Sequence, residues 1–461
     1  MTAPAERVTS SKDVVVVGGG LAGLTAALRL ARAGVRTTLF ERRPFLGGRA
    51  YSFTDGPSGD VIDNGPHAFM GAYTALRGLA AEIGAVDAIA FQPRLHVPMS
   101  HPTLGAGAIA APPLPGPLQA PAALLRYRLL SRADRLRLAV GAVRMVTRAP
   151  TSLAGTTVAE LLAAHGQSPA ARARFWDPLV IATLNEVPER AAAAPFVAVL
   201  RRGFLAGASA ARFGLARAPL GDAFAEPLRA AIERAGGMVR TGAAVAEIEV
   251  RDGRASAVVL RDGWRLPADA VVLAVPVSSL LRMLPPALRA ERTFEALAGV
   301  ATSPIVSVHL WADGDVTVGA PAAGAPFVGL LESRAQWLFD CGPSRAGGRR
   351  LATVTSGARS WDGADDATIV AEVLADVRPA VGTLACRRAH VVRERHATLS
   401  LTPDADRARP GPTTSLPNLF LAGDWVQTGL PATIESAVVS GNWAAERVLA
   451  APSATAGRAA A

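Results

Sequence analysis

The sequence predicts an α/β fold in which a Rossmann-type nucleotide-binding domain is interleaved with a mixed α+β domain. Three observations carry that expectation. Four consecutive valines, residues 14–17, run into G-x-G-x-x-G at Gly18, Gly20 and Gly23, and Leu21, Leu24, Ala27, Leu28 and Leu30 then recur at helical spacing up to Gly34. A second apolar run, residues 35–40, ends in Glu41, about twenty residues beyond the glycines, where an acid accepts hydrogen bonds from a ribose diol. Near the other end of the chain a third apolar run, residues 419–422, stops at Gly423-Asp424 just before another helix.

Each residue type in the first motif has a physical task. Gly18 permits the tight turn, Gly20 leaves backbone open to a pyrophosphate, and Gly23 lets helix and strand pack closely. Leu21 and Ala22 open a helix whose unpaired N–H groups face the phosphates.

The 461-residue chain is half hydrophobic, long enough for two cores. Its formal net charge is +10, and Lys12 is the only lysine. No aromatic-studded basic stretch accompanies that charge, so nucleic acid is not the expected partner. Cys341 and Cys386 form no C-x-x-C and imply neither a metal site nor a disulfide framework. No apolar core precedes the first strand and no segment reads as a membrane span. A cytoplasmic protein, peripheral at the inner face of the cell membrane, is the expectation.

In order along the chain, Gly47, Gly48 and Arg49 follow the nucleotide strand, with Arg49 able to neutralise pyrophosphate through its guanidinium. A hairpin-like stretch leads to Asp63-Asn64-Gly65-Pro66-His67. Residues 95–125 carry no charge and seven prolines, and residues 126–148 then carry seven arginines and one acid. Leu125, Leu129, Ala133, Leu136, Val140 and Val143 trace one face of an expected continuous helix, with Arg128, Arg132 and Arg135 on another. An uncharged lip beside such a helix suits an anionic bilayer surface.

Residues 151–215 read as mostly helical. Phe175-Trp176-Asp177-Pro178 within them either lines a cavity or packs as an aromatic pair beside a helix N-cap. Short strands divided by Arg-Asp-Gly turns follow residue 235, with Val245 placed to present its backbone to an adenine, and residues 269–276 add a strand to the nucleotide sheet. Residues 305–311 alternate as the floor of the second domain. After Asp424, Pro431, Ala432 and Thr433 open the last helix, whose N-terminus can face electron-rich oxygen. Residues 451–461 read as a disordered tail.

GGGLAG, ERRPFLGGR and LFLAGDW with GLPATIESAVVSG together resemble the FAD-dependent amine oxidase and carotenoid desaturase superfamily. Within it, VIDNGPHAFMGAY, FQPRLHVP, FWDPLVIATLN, SPIVSVHLW and GDWVQTGLPATIESAV are similar to the hydroxysqualene dehydroxylase family, with departures at Pro66 and Ser436. The resemblance implies FAD as cofactor. It implies a discontinuous FAD-binding domain over residues 1–90, 216–300 and 416–450, with a substrate and membrane-facing domain over 91–215 and 301–415. The expected cofactor-binding set is Gly18, Gly20, Leu21, Ala22, Gly23, Glu41, Arg42, Gly48, Arg49, Gly65, Pro66, His67, Val245, Gly423, Asp424, Pro431, Ala432 and Thr433.

The implied reaction is reductive loss of the hydroxyl from hydroxysqualene. It needs a general acid, for which His67 and Asp177 are the candidates, and a cation-facing ring, for which Trp176 or Trp425 is expected. No second G-x-G-x-x-G follows a strand, which leaves the electron donor open. The rivals are a phytoene-type polyprenoid desaturase or isomerase and a flavin-free prenyl-binding protein of the same fold.

Overall fold

In the computed structural model, which describes residues 12–114 and 116–452, the valine run becomes the central strand of a five-stranded parallel sheet. Its spatial order is Met238–Arg240, Arg36–Phe40, Asp13–Val17, Ala270–Leu273 and Leu419–Leu421. Alternate side chains enter different cores. Val14 and Val16 join Leu39 and Val272 on one face, while Val15 and Val17 join Val271 and Leu421 on the other. A strand covered on both faces needs an unbroken apolar run, which is what residues 14–17 supply. Helices Leu21–Arg32 and Ile434–Ala450 pack on each other over the first face.

The second sheet has seven strands, in the order Cys386–Leu399, Thr302–Ala312, Arg349–Ser356, Trp337–Pro343, Phe327–Leu330, His96–His101 and Gly105–Ala110. All its pairs are antiparallel except Phe327–Leu330 with His96–His101. The two-residue period of Thr302–Ala312 decides what it faces. Val306, Val308 and Leu310 pack with Ile369, Val373 and Val377 of helix Asp366–Val381, while Ile305, Ser307 and His309 turn toward the polar interior.

Residues 95–148 depart from expectation. The uncharged stretch forms the edge hairpin His96–His101 and Gly105–Ala110, then helix Gly116–Arg126 with Pro121 inside it. The expected continuous helix is broken at Tyr127, which is buried and donates its hydroxyl to the carbonyl of Arg174 at 2.9 Å. Ser131 then caps a new helix, Arg132–Val146. That break rotates the pattern. Leu138, Gly141 and Met145 face inward, and Leu136, Val140 and Val143 are left 60, 41 and 55 % exposed. Arg135 is folded back onto the carbonyls of Leu130 and Leu125 rather than standing free. No helix among the described residues is long and apolar enough to cross a membrane. The expected tail lies outside the described residues from residue 453 onward.

Candidate active site

One cavity of about 640 Å³ runs from the glycine motif to the second sheet. Its first end is a backbone cradle. Gly18 has φ +112°, and a Cβ there would stand 2.3 Å from the carbonyl oxygen of Ala274; at Gly23 it would stand 2.0 Å from that of Gly18. Gly23 therefore packs the turn and does not line the cavity, which is the helix-packing task its position in the motif implies. Gly20 lies against Gly48 and has no side chain to cap helix Leu21–Arg32, so the first N–H groups point into the cavity. Leu21, Ala22, Glu41, Arg42 and Val245 line the same end. Glu41 is held by the N–H of Gly19 at 2.7 Å and of Arg43 at 2.8 Å, which fixes its carboxylate at the end of its strand.

The middle of the cavity gathers Gly48, Arg49, Gly65, Pro66 and His67 with Gly423, Asp424, Pro431, Ala432 and Thr433, brought from opposite ends of the chain. Arg49 is already engaged: it pairs with Asp424 and donates to the carbonyl of Ala397 at 2.8 Å. Thr433 caps the last helix by accepting from Ser436 N–H at 3.3 Å. Arg409, buried, donates to the carbonyls of Asp424, Val426 and Leu430 and so braces the loop between them. Backbone donors facing an open glycine-walled groove, ending in a helix N-terminus, fit a dinucleotide cofactor.

His67 sits at this waist. Its Nδ1 is 2.7 Å from the carbonyl oxygen of Gly65; a carbonyl only accepts, so Nδ1 carries the hydrogen and Nε2 is the nitrogen free to titrate. Burial lowers its pKa, opposed by the charges of Asp63 and Glu394. Asp63 is pushed the other way, upward, chiefly by burial. Glu394, on the long strand Cys386–Leu399, also lines the cavity and accepts from the hydroxyl of Tyr51 at 3.0 Å. Burial and that carboxylate push Tyr51 up to about 12.

The far end is apolar. Leu95, Val97, Met99 and Ile109 from the edge hairpin face Phe213, Phe327, Trp337 and Phe339. Phe327 stands at the centre of these rings, with centroids 6.3 Å from Phe213, 6.4 Å from Trp337 and 5.8 Å from Phe339. Such tilted arrangements keep ring faces available while filling space.

Two expected catalytic residues fall outside the site. Trp176 is fully buried, donates Nε1–H to Gln167 at 2.7 Å, and packs edge-on to Phe175 and Phe196 in the core. Asp177 is turned to Arg172 and does not line the cavity. The cause is local: Ser168 caps the helix, which then runs through a π-turn, Arg172–Trp176, before continuing as Asp177–Leu184. The wide turn shifts the facing side chains, so Phe175, Pro178 and Leu179 line the cavity instead. Trp425 does line the cavity, but its indole lies under Gly423 and donates to the carbonyl of Val275 at 2.9 Å, which makes it part of the floor. The aromatic cluster and Glu394 were not singled out from sequence, because they come from strands that only the sheet brings together.

A family model describing flavin containing amine oxidoreductases matches residues 21–449. The hydroxysqualene dehydroxylase of Rhodopseudomonas palustris is 34 % identical over 96 % of this chain and 99 % of its own. The 15-cis-phytoene desaturase of Synechococcus elongatus is 25 % identical over 95 % of this chain and 96 % of its own. An oxidoreductase from Methanosarcina mazei shares the fold with a TM-score of 0.73 at 18 % identity, covering 94 % of this chain and 100 % of the other. With nearly its whole length matched and the glycine cradle, waist and apolar end in one cavity, the chain belongs to the flavin-containing amine oxidoreductase family.

Proposed function

We propose that this protein binds FAD and reductively removes the hydroxyl of hydroxysqualene, giving squalene. The observation that carries the reading is a single cavity with a phosphate cradle at one end, a histidine with a free Nε2 at its waist, and an apolar aromatic chamber at the other end. The 34 % identical relative is named for that reaction, and supports hydroxysqualene over other polyprenoids.

The chain's own residues divide the work. The open N–H groups of Leu21 and Ala22 and the carboxylate of Glu41 would hold the pyrophosphate and adenosine part of FAD, and the N-terminus of helix Ile434–Ala450 its flavin ring. Bound FAD, when reduced, supplies the hydride. The walls from Leu95 to Ile109 hold the hydrocarbon and exclude water. His67 Nε2 donates a proton to the leaving hydroxyl, and the rings around Phe327 face the allylic cation that forms as the C–O bond breaks.

The exposed Leu136, Val140 and Val143, with Arg128, Arg132 and Arg137 exposed beside them, form the surface from which a lipid-soluble substrate is drawn off an anionic bilayer. The cavity supports this placement. Its wall residue Arg174 donates to the carbonyl of Leu129, in the turn that joins the two helices of that surface.

Product analysis tests the reaction. Purified, flavin-loaded protein under reducing conditions is offered hydroxysqualene, and in oxidising conditions phytoene, with mass spectrometry of the extracts. Squalene from the first supports the proposal. A new double bond in the second, with hydroxysqualene returned intact, replaces it by desaturation, and a protein that takes up no flavin replaces it by prenyl binding.

A further inference from the structure

A smaller chamber of about 170 Å³ lies behind the waist of the main cavity, and Pro66 and His67 belong to the walls of both. Unlike the apolar end, it is lined by ionisable groups: Asp63, His309, Cys341 and Arg350. On its side of the partition His309 Nε2 and Arg350 Nε are buried without a hydrogen-bond partner; on the cavity side the same holds for Asn64 Oδ1 and Ser307 Oγ. Leaving a buried polar atom unpaired costs about 1–3 kcal/mol, so four of them on both sides of one thin wall mark a space built for water.

Asp63 is arranged to hold a proton there. Both of its donors, Ser52 Oγ at 2.6 Å and Leu220 N–H at 2.9 Å, bond Oδ1. Oδ2 is left as the oxygen to protonate. The surrounding charges come from every neighbouring strand. Arg350 is tied by its Nη groups to the carbonyls of Val61 and Cys341, with Nε 4.0 Å from Asp60. Asp340 is paired with Arg349, Asp55 with Arg388, and Glu394 with the Tyr51 hydroxyl. His309, which also feels His390, and the Cys341 thiol are both held neutral by burial. Arg217 lies in the same wall. Burial moves Asp63 upward and His67 downward, toward each other, which suits this pair to pass a proton between them.

We propose that this chamber supplies the proton consumed in the main cavity and carries away the water released, with Asp63 as the positioning residue that recharges His67. The inference rests on the dehydroxylation reading above. In the balance, the substrate C–O bond breaks, its carbon gains two electrons as hydride from reduced flavin, and the hydroxyl takes the His67 Nε2 proton to leave as water. His67 regains a proton from Asp63 across chamber water, and Asp63 is refilled from solvent.

The test is Asp63→Asn, which keeps an oxygen for Ser52 and Leu220 while removing the charge and the acid. His67 is followed by NMR in 15N-histidine-labelled, FAD-loaded oxidised protein, its signal assigned from His67→Gln. Asp63→Asn is expected to lower the His67 pKa by about one unit, which is tenfold in the protonated fraction above that pKa. The pH profile of kcat should move down equally with KM unchanged, and Asp63→Glu should restore both. An unchanged His67 titration overturns the relay whatever the substrate. If wild type fails on hydroxysqualene while His67 still shifts in Asp63→Asn, the substrate reading falls and the relay stands.

Discussion

Replacing Leu136, Val140 and Val143 together by serine should release the protein from anionic membranes without unfolding it. These side chains are roughly half exposed, on the outer face of helix Arg132–Val146, while Leu138 and Met145 hold the helix to the core. Fully burying such a side chain is worth about 1.5–3 kcal/mol, so burying the exposed half of each in lipid gives about 1 kcal/mol, or about 3 kcal/mol for the three. That corresponds to roughly a hundredfold in partition coefficient. Flotation with liposomes containing phosphatidylserine measures it directly, with circular dichroism and flavin content as controls for folding. Arg128→Glu with Arg132→Glu should weaken binding further, and only at low salt, since each arginine near the surface contributes about 1 kcal/mol that ions screen. A triple serine variant that floats as wild type does would refute the assignment of this face.

Other expectations follow from particular contacts. Gly48→Val should abolish flavin absorbance in the purified protein, because Gly48 has φ +64° and a Cβ there already meets the Cα of Gly20 at 3.0 Å. Trp176→Phe should leave kcat unchanged but lower stability by about 1–3 kcal/mol in urea melts, since it strands the Gln167 side-chain oxygen in the core. Acid should destabilise the fold through His309, whose pKa burial lowers to about 4. Between pH 6.5 and 4 the unfolded chain binds a proton there that the folded one does not, so stability falls as pH falls, by about 2 kcal/mol from pH 6.5 to 5. His309→Gln should flatten that part of a Tm-against-pH curve.

The glycine end of the cavity was legible because its determinants are local. Gly18, Gly20 and Gly23 encode a backbone path within six residues, and Glu41 and Asp424 stand at the ends of strands whose apolar runs announce them. The rest of the cavity was not, for two physical reasons. Which face of residues 172–184 meets the cavity depends on a π-turn that has no sequence signature, and it sent Trp176 and Asp177 away from the site. Similarly, the exposed face of residues 132–146 depends on a helix break at Tyr127, which a continuous 3.6-residue period cannot show. Glu394 and Phe327 reach one cavity, and Asp63 the chamber behind it, only through pairing between distant strands. His67, expected from sequence to belong to the site, does line the cavity, two residues after Gly65.

The central claim is that one cavity couples flavin oxidation to loss of a hydroxyl from a polyprenoid alcohol. An anaerobic single turnover tests it most directly: FAD-loaded protein, photoreduced, is mixed with hydroxysqualene while absorbance near 450 nm is followed and the quenched extract is weighed by mass spectrometry. The account predicts one squalene formed per flavin re-oxidised, with the same time course. Flavin that stays reduced in folded protein, with hydroxysqualene recovered intact, would contradict it.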